Sequence, residues 1–544
     1  MRLVPALLAT ALVTAAAADA RAAGFYLTDV GTRGMARGGA FVAAPDSLLA
    51  MHYNPAGLSF LRGLHVEADL TLVGMDVSFQ RKCPCVNAEA AAMEGFDPVA
   101  LDAELEARYA DNPVDTNTLL PIPFLGVGYG LPWLDTTVAL AVWGPNSGRH
   151  RYGELPPALR PDFIDAANAM PNRYSGIHMK TIEANLGLGV GFRPFKDVPV
   201  LRGLRIGGVL MGFQSGNDQR VHLWVNSALL SPDGPEDPGL DAPIQFNFKE
   251  SFAINWQVGA SYEIIPNLNF GFSFRGKRHV KTSGTIDVEL PAKVLGENIA
   301  DPSDDLVTVQ GRNVDVELST APILRTGLEY QWPGLFRAEV AWVWEGWSAH
   351  DRVVITPKDI NFVILGTPQE LGEIVAERHW KDTWSLRVGG ELNMFEPYLG
   401  LRAGYYYEPT AVPPERMDPS RVDLDKHGVS LGASTTWYGV TLEVAFQYVA
   451  MRGAEVRDSQ QVQIAPLVGG LPEYVTTVGN GDYNGQYFIG SAGLSFALDP
   501  ESQPVAIDAG FAWLLGNWEV RVLDDPEDPE APAWYAVAVP ILPK

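Results

Sequence analysis

Apolar and polar residues alternate with period two along most of this chain. From Thr181 to Phe192, the apolar Ile182, Ala184, Leu186, Leu188, Val190 and Phe192 interleave with Thr181, Glu183, Asn185, Gly187, Gly189 and Gly191. Successive side chains of a strand point to opposite faces, so this segment predicts a strand with one greasy face and one small or polar face. The pattern recurs in 252–263, 268–275, 336–345 and 440–451. Read along the whole chain it predicts fourteen strands, near 64–80, 119–131, 136–148, 174–194, 202–215, 244–264, 267–289, 312–331, 335–356, 379–393, 397–408, 425–438, 440–457 and 484–498. Many reach ten or more residues, the length that crosses a bilayer at a tilt, where strands of soluble proteins average about five or six.

The links carry a second regularity. Those after even-numbered strands are short (194–201, Pro266, 332–334, 395–397, Gly439), and those after odd-numbered strands are long and polar (81–118, 149–173, 216–243, 357–378, 454–483). An even strand count, short turns at one end and long loops at the other are the layout of bacterial outer-membrane barrels. Aromatic girdles are expected at the two interfaces. Phe192, Tyr262, Tyr330 and Trp332 would form one, and Trp344, Trp347, Trp384 and Tyr405 to Tyr407 the other. The expected fold class is all-β, a transmembrane antiparallel β-barrel of about 14 strands.

The N-terminus sets the compartment. Met1-Arg2, an uncharged apolar stretch from Leu3 to Ala18 and the Ala20-Arg21-Ala22 site read as a secretory signal peptide over 1–22. No later uncharged apolar run reaches the ~18 residues of a spanning helix. The formal net charge of −25 argues against nucleic acid, which needs basic patches, and against peripheral attachment to anionic lipid through a basic face. The barrel is expected over 63–498. Between signal and barrel, 23–62 is rich in Gly and Ala and alternates little, which suits an N-terminal hatch folded inside the lumen. The residues 499–544 form an acidic extension, read as either a periplasmic tail or an extra hairpin.

Several stretches resemble the FadL-type outer-membrane family of long-chain fatty-acid and hydrocarbon transport proteins. They are Ala23-Gly24-Phe25, the glycines from Gly31 to Gly39, the hatch motif Asn54-Pro55-Ala56, and Tyr405-Tyr406-Tyr407-Glu408-Pro409-Thr410-Ala411-Val412-Pro413. The resemblance spans about 24–498. The chain departs from the family's Asp-x-Ser-Pro-Val turn with Glu-Pro-Thr-Ala-Val. It also departs at the C-terminus, where 48 residues follow Phe496, the aromatic expected to end the last strand for the barrel-assembly machinery. The resemblance implies capture of a hydrophobic compound among outer loops, an apolar pocket, and sideways release where the third strand kinks. Here that strand contains Gly144-Pro145; proline lacks a ladder donor. The alternative is that Gly-Pro ends the strand at the outer rim.

The remaining candidates are weighed on the same residues. The period-two glycines at 126–130 and 187–191 lie on one strand face and suit packing against the hatch. No complete phosphate loop, nucleophile elbow or zinc-spaced histidine set occurs, so no enzyme, cofactor or metal is expected. Arg325, Arg337 and Arg387, with Glu329, Glu339, Glu391 and Glu443, read as a solvated lumen network anchoring the hatch, in which one arginine pairs with a substrate carboxylate. Cys83-Pro84-Cys85 is open between a disulfide and a poor metal site. Val99–Ala110 has the spacing of a short helix, either lining substrate entry or simply solvated. The function expected is passive uptake of hydrophobic small molecules, long-chain fatty acids foremost, by a monomer in the outer membrane of a Gram-negative cell, released there into lipid. The rivals are a general porin and a structural or adhesive barrel. Mass spectrometry of the mature protein should place its first residue at Ala23; retention of 1–22 would contradict the signal-peptide reading.

Overall fold

The computed structural model describes residues 29–93, 96–109, 113–131, 135–144, 148–151, 170–224, 236, 241–288, 293–294, 297–298, 307–364, 367–370, 372–395, 398–462, 476–498, 518–523 and 535–540. The signal peptide, Pro145 and most of the C-terminal extension lie outside them.

Fourteen antiparallel strands close into a barrel. They are β1 (Gly63–Arg81), β2 (Val114–Leu131), β3 (Thr136–Trp143 and Gly148–Arg151), β4 (His178–Phe192), β5 (Leu204–Trp224), β6 (Asp241–Ile265) and β7 (Leu268–Arg275 and Arg278–Val288). Then follow β8 (Asn313–Thr320 and Ile323–Trp332), β9 (Phe336–Glu345 and Arg352–Pro357), β10 (Ile374–Glu377 and Thr383–Phe395), β11 (Leu399–Glu408), β12 (Lys426–Trp437), β13 (Val440–Met451 and Ala454–Val456) and β14 (Gly481–Leu498). Each pairs with its sequence neighbours, and β14 returns to β1 in an unbroken register from Leu64↔Leu498 to Arg81↔Gly481. Closure leaves no sheet edge in the hydrocarbon, where an unpaired backbone group costs several kcal/mol. The C-terminal hairpin, 518–523 with 535–540, pairs only with itself, so the barrel closes without it. The rest of the 499–544 extension lies outside the described residues.

The alternation sorts the faces as expected. On β13, Leu442, Val444 and Phe446 are more than half exposed or at half, while Glu443, Ala445 and Gln447 are buried. The apolar face therefore points out, toward lipid, and the small or polar face points in. Turns follow the predicted alternation: Tyr438 and Gly439 both have positive φ and join β12 to β13 in two residues, the turn that suits the strands' twist. Asn267 takes positive φ in the β6–β7 turn.

Two lengths differ from expectation. β5 runs to Trp224 and β6 spans 25 residues, roughly 80 Å at strand rise, far more than a membrane crossing needs. Their outer ends, with those of β7 to β9, continue outside the membrane around an apolar core of Val221, Ile244, Phe246, Ile286, Val314, Val316 and Ile360. The polar residues of 216–224 hid this continuation, because a sheet exposed to water on one face has no need of uniform alternation. On unheated electrophoresis the closed barrel should migrate apart from the boiled form. A single species insensitive to boiling would contradict closure.

Candidate functional site

The hatch occupies the lumen from Asp29 to Arg62. Its elements are α1 (Thr32–Ala36), α2 (Ala50–Tyr53) and a 3-10 turn at Pro55–Phe60. Pieces this short are not stable alone; the barrel holds them. Asn54 stands before the turn in extended conformation, and its Oδ1 accepts from Ala56 N at 3.1 Å. Its Nδ2 donates to Val42 O at 2.8 Å within the hatch and to Ala260 O at 3.1 Å on β6. Pro55 takes the first helical position, where no N–H is needed. Ala56 is fully buried. The wall fits this backbone closely. A Cβ at Gly259 would lie 2.0 Å from Asn54 Oδ1, and one at Gly207 2.2 Å from Pro55 O. The inward glycines of β4 serve the same contact: a Cβ at Gly191 would meet Leu58 Cβ at 2.7 Å.

Ion pairs complete the anchoring. Arg37 reaches Glu329 of β8 at 2.5 Å. Glu339 of β9 accepts from Val42 N at 2.6 Å and Ala43 N at 3.2 Å. Arg337 binds Asp46 at 2.7 Å and Glu329 at 2.8 Å. Arg387 of β10 binds Asp29 at 2.6 Å and Glu408 at 3.1 Å. On the opposite wall Leu48 N donates to Glu67 and Thr32 N to Asp69, both on β1. The sequence reading of a solvated network is corrected here. Arg37, Glu329, Glu339 and Arg387 are all at most 1% exposed. Sequestered charges persist only with partners, and these have them. Arg325 differs from Arg337 and Arg387: it is buried, its Nη2 lies 3.5 Å from His52 Nε2, and its Nη1 has no hydrogen-bond partner among the described residues. It sits across the β7–β8 ladder from Ser273, beside Arg275, which lines a small cavity with Arg278, Asn185, Asn255 and Phe213.

The wall is not uniform. β2 pairs with β1 along its whole length, from Gly63↔Gly130 to Phe79↔Val114, but with β3 only from Leu131↔Thr136 to Phe124↔Trp143. The ladder stops where Gly144 begins. Gly148–Arg151 resumes pairing with β4 and stays near β2 without pairing to it. Within the unpaired stretch of β2 stand Pro121 and Pro123. Residues two apart direct their N–H to the same side, and the β1 ladder runs unbroken here, so the two missing donors face the edge β3 has left. Proline is tolerated on such an edge and not inside a sheet. The lumen face of this stretch is apolar: Leu120, Ile122 and Phe124 are buried, and Phe124 packs against Trp143 with ring centroids 6.3 Å apart. Gly144 thus lies at the end of the ladder; Pro145 is outside the described residues.

Above the hatch the lumen holds an apolar cluster, set among buried ion pairs such as Arg378 with Asp418. Val73, Met75, Leu120 and Ile122 share one cluster with Trp347, Trp380 and Tyr406 and with Ala411, Val412 and Met417 of the β11–β12 loop. Trp347 and Tyr406 were expected in the outer girdle. Both point inward instead, as period two places them: Trp347 is in phase with buried Ala341, Val343 and Glu345, to which its Nε1 donates at 2.7 Å, and Tyr406 with buried Arg402 and Glu408. The outer loops are clasped over this cluster by Glu236. It binds Arg81 at 2.7 Å, accepts from Thr476 Oγ1 at 2.8 Å, and bonds Tyr109 of the helix α4 (Pro98–Tyr109), which follows α3 (Ala88–Met93). Arg173 lies 3.7 Å away. Burial works against its charge, yet Arg81 and Arg173 hold the Glu236 carboxyl down at about 2. The predicted helix over 99–110 is therefore present, and Leu101, Leu105 and Tyr109 are buried. Cys83 and Cys85 form a disulfide, which settles the alternative left open. Sequence reasoning missed Glu236, a lone acid in an acidic loop with no signal to find it. It also missed Pro121 and Pro123, whose presence inside an apolar strand was a readable sign of an edge.

The profile of the family described as outer membrane protein transport protein (OMPP1/FadL/TodX) matches residues 240–480. Among solved structures, the fold is similar to that of a Pseudomonas aeruginosa FadL homologue, at 15% identity and a TM-score of 0.64, covering 87% of this chain and 100% of that one. It is similar also to the Pseudomonas putida toluene transporter TodX (12% identity, TM-score 0.56, 87% and 99% covered) and the Ralstonia pickettii toluene transporter TbuX (13%, 0.54, 86% and 99%). No curated protein sequence matches the chain.

Two outcomes check this site. Asn54→Ala removes two donors and an acceptor and should cost about 1–3 kcal/mol of hatch anchoring, seen as larger conductance fluctuations in planar bilayers with heat-modifiability kept; wild-type conductance would contradict the assigned role. Glu236 has a depressed pKa, so its contribution is present above its ordinary value of 4.5 and is lost only as pH falls through about 2. Hydrogen exchange in 82–109 and 170–177 should therefore stay slow at pH 4 in the wild type and quicken in Glu236→Gln; equal exchange in both would remove the clasp.

Proposed function

From a chain that resembles the FadL-type outer-membrane transport proteins in sequence over its central part and in fold over most of its length, we propose a passive channel for hydrophobic compounds, long-chain fatty acids foremost. What supports this reading is the pairing of a plugged, ion-locked lumen with an apolar cluster under the outer loops and an interrupted wall ladder. A polar solute meets the hatch, whose contacts with the wall are buried. An apolar solute meets the apolar cluster under the loop 409–425, then the apolar lumen face of β2, then the stretch ending at Pro123 where β2 has no β3 partner. The exit is sideways into lipid, at Gly144-Pro145. No bond is made or broken, so no catalytic group and no cofactor are needed. Arg325, with an N–H unspent beside Arg275, receives the substrate carboxylate, while Arg337 and Arg387 hold the hatch. Asn54, Pro55 and Ala56 set the position of the plug against β5 and β6. The chain is exported through a signal peptide at 1–22 and inserted by the barrel-assembly machinery of a Gram-negative cell, and it acts as a monomer.

A general porin is disfavoured by the hatch, and an adhesive barrel has no use for an interrupted wall ladder. The reading is tested by joining the wall. Leu119→Cys with Gly148→Cys, bridged by a short thiol crosslinker, should abolish fatty-acid uptake, and cleavage of the linker should restore it. Leu125→Cys with Val142→Cys, partners in the intact part of the same ladder, should leave uptake unchanged. Full uptake through a bridged 119–148 pair would rule out this exit. Arg325→Met should lower uptake of a long-chain acid about 10- to 100-fold, the weight of a lost charge-assisted bond, and leave a neutral aromatic unaffected. Equal loss for both would sink the carboxylate assignment.

A further inference from the structure

The turn between β4 and β5 is unlike the other periplasmic turns. It runs over eleven residues, 193–203, where the turns at 266–267, 333–335, 396–398 and 438–439 need two or three. Nor is it loose. Val198 N donates to Phe195 O at 3.1 Å, Leu201 N to Val198 O at 2.9 Å, and Arg193 Nε to Arg202 O at 2.5 Å. Tyr262 Oη on β6 donates to Val200 O at 2.7 Å. This ordered turn nevertheless leaves Phe195, Val198, Val200 and Leu201 in the open, Val200 at 74%. It is also basic. Arg193, Lys196 and Arg202 belong to it, and Arg62 and Arg205 flank it, against Asp135, Asp197 and Glu263. Arg62 and Lys196 both turn toward Asp135, at 2.8 and 3.8 Å. The net charge of −25 over the chain conceals this local excess of cations.

Apolar side chains mixed with cations are the makeup of a segment lying at a membrane surface, its greasy residues below the headgroups and its charges among them. The position agrees. The turn continues the lipid-facing row of Leu186, Leu188 and Val190 on β4, so it begins where the hydrocarbon ends. At the corresponding level of other turns Trp332, Tyr398, Trp437 and Tyr438 are exposed, as an interfacial belt requires. We propose that the 193–203 turn is a membrane anchor that seats Phe195, Val198, Val200 and Leu201 in the periplasmic leaflet and binds anionic phospholipid headgroups through Lys196, Arg202 and Arg193. Because β4 pairs with β3 along both of its parts, the anchor fixes the depth at which the interrupted wall meets lipid.

The two native cysteines are joined to each other, so Val200→Cys carries a single fluorescent label without other changes. The labelled full-length protein is placed in vesicles of phosphatidylethanolamine with 30% phosphatidylglycerol, and a label at Leu335→Cys in a short turn serves as reference. Phospholipid bearing a nitroxide near the headgroup should quench the label at 200 at least twofold more than the label at 335, and aqueous iodide should quench it less. Lys196→Gln with Arg202→Gln, both exposed positions, should lower the preference for a nitroxide-bearing phosphatidylglycerol over its phosphatidylcholine counterpart at least twofold. Strong iodide quenching with no nitroxide quenching would overturn the anchor. So would a label shielded from both quenchers in isolated cell envelopes but open to iodide in vesicles, since a periplasmic protein would then be the occupant. None of these readouts involves transport, so failure of the transport reading leaves them distinguishable.

Discussion

Hydrocarbon offers no hydrogen bonds, so each backbone N–H and C=O that crosses it must find a partner within the protein. The rest of this structure depends on that constraint. It is why fourteen strands close on themselves, with β14 zipped to β1 over eighteen residue pairs. It is also why the stretch of β2 that lacks a β3 partner is informative. At Leu120–Pro123 the chain lessens the cost by composition: Pro121 and Pro123 remove two donors that would otherwise face lipid unpaired, and Leu120, Ile122 and Phe124, which alternate with them, present apolar side chains to the lumen. An edge made this way leaves fewer donors unpaired, although the carbonyls of Pro121 and Pro123 still face it.

The second constraint runs inward. A hatch of two short helices and one tight turn has no core of its own, so the wall supplies one. Glycines on β4 to β6 let its backbone come close, and carboxylates on β1, β8, β9 and β13 take its arginines and its free N–H groups. Breaking one member of such a buried pair leaves the other charge stranded, so the network holds the plug in one place more firmly than its small apolar contacts could. The result separates two kinds of solute. The described hatch residues fill the lumen with buried polar contacts, whereas the cluster above them is apolar.

Much of this was legible because period two is a local signal. The faces of β4 follow from Ile182 to Phe192 alone, the inward glycines at 187, 189 and 191 announced a close neighbour, and Asn54-Pro55 announced a capped turn. Parity also places Trp347 and Tyr406, which share the phase of inward Glu345 and Glu408; reading them as girdle residues by type alone overlooked it. Partner choice is invisible locally. Arg325, Arg337 and Arg387 have like neighbours in sequence, and only the fold puts Asp46 beside one, Asp29 beside another and an imidazole beside the third. Glu236 meets Arg81 across more than 150 positions, a pairing no pattern encodes.

The most direct measurement of the central claim is solute selectivity in one system. Cells deprived of their own hydrophobic-solute channels and expressing this chain are given a labelled long-chain fatty acid and, in parallel, a labelled disaccharide of similar mass. The account predicts saturable entry of the acid above the level of cells carrying an empty vector, and disaccharide entry no faster than in those cells. Rapid, unsaturable entry of the disaccharide with no gain for the acid would contradict it and leave a water-filled pore in its place.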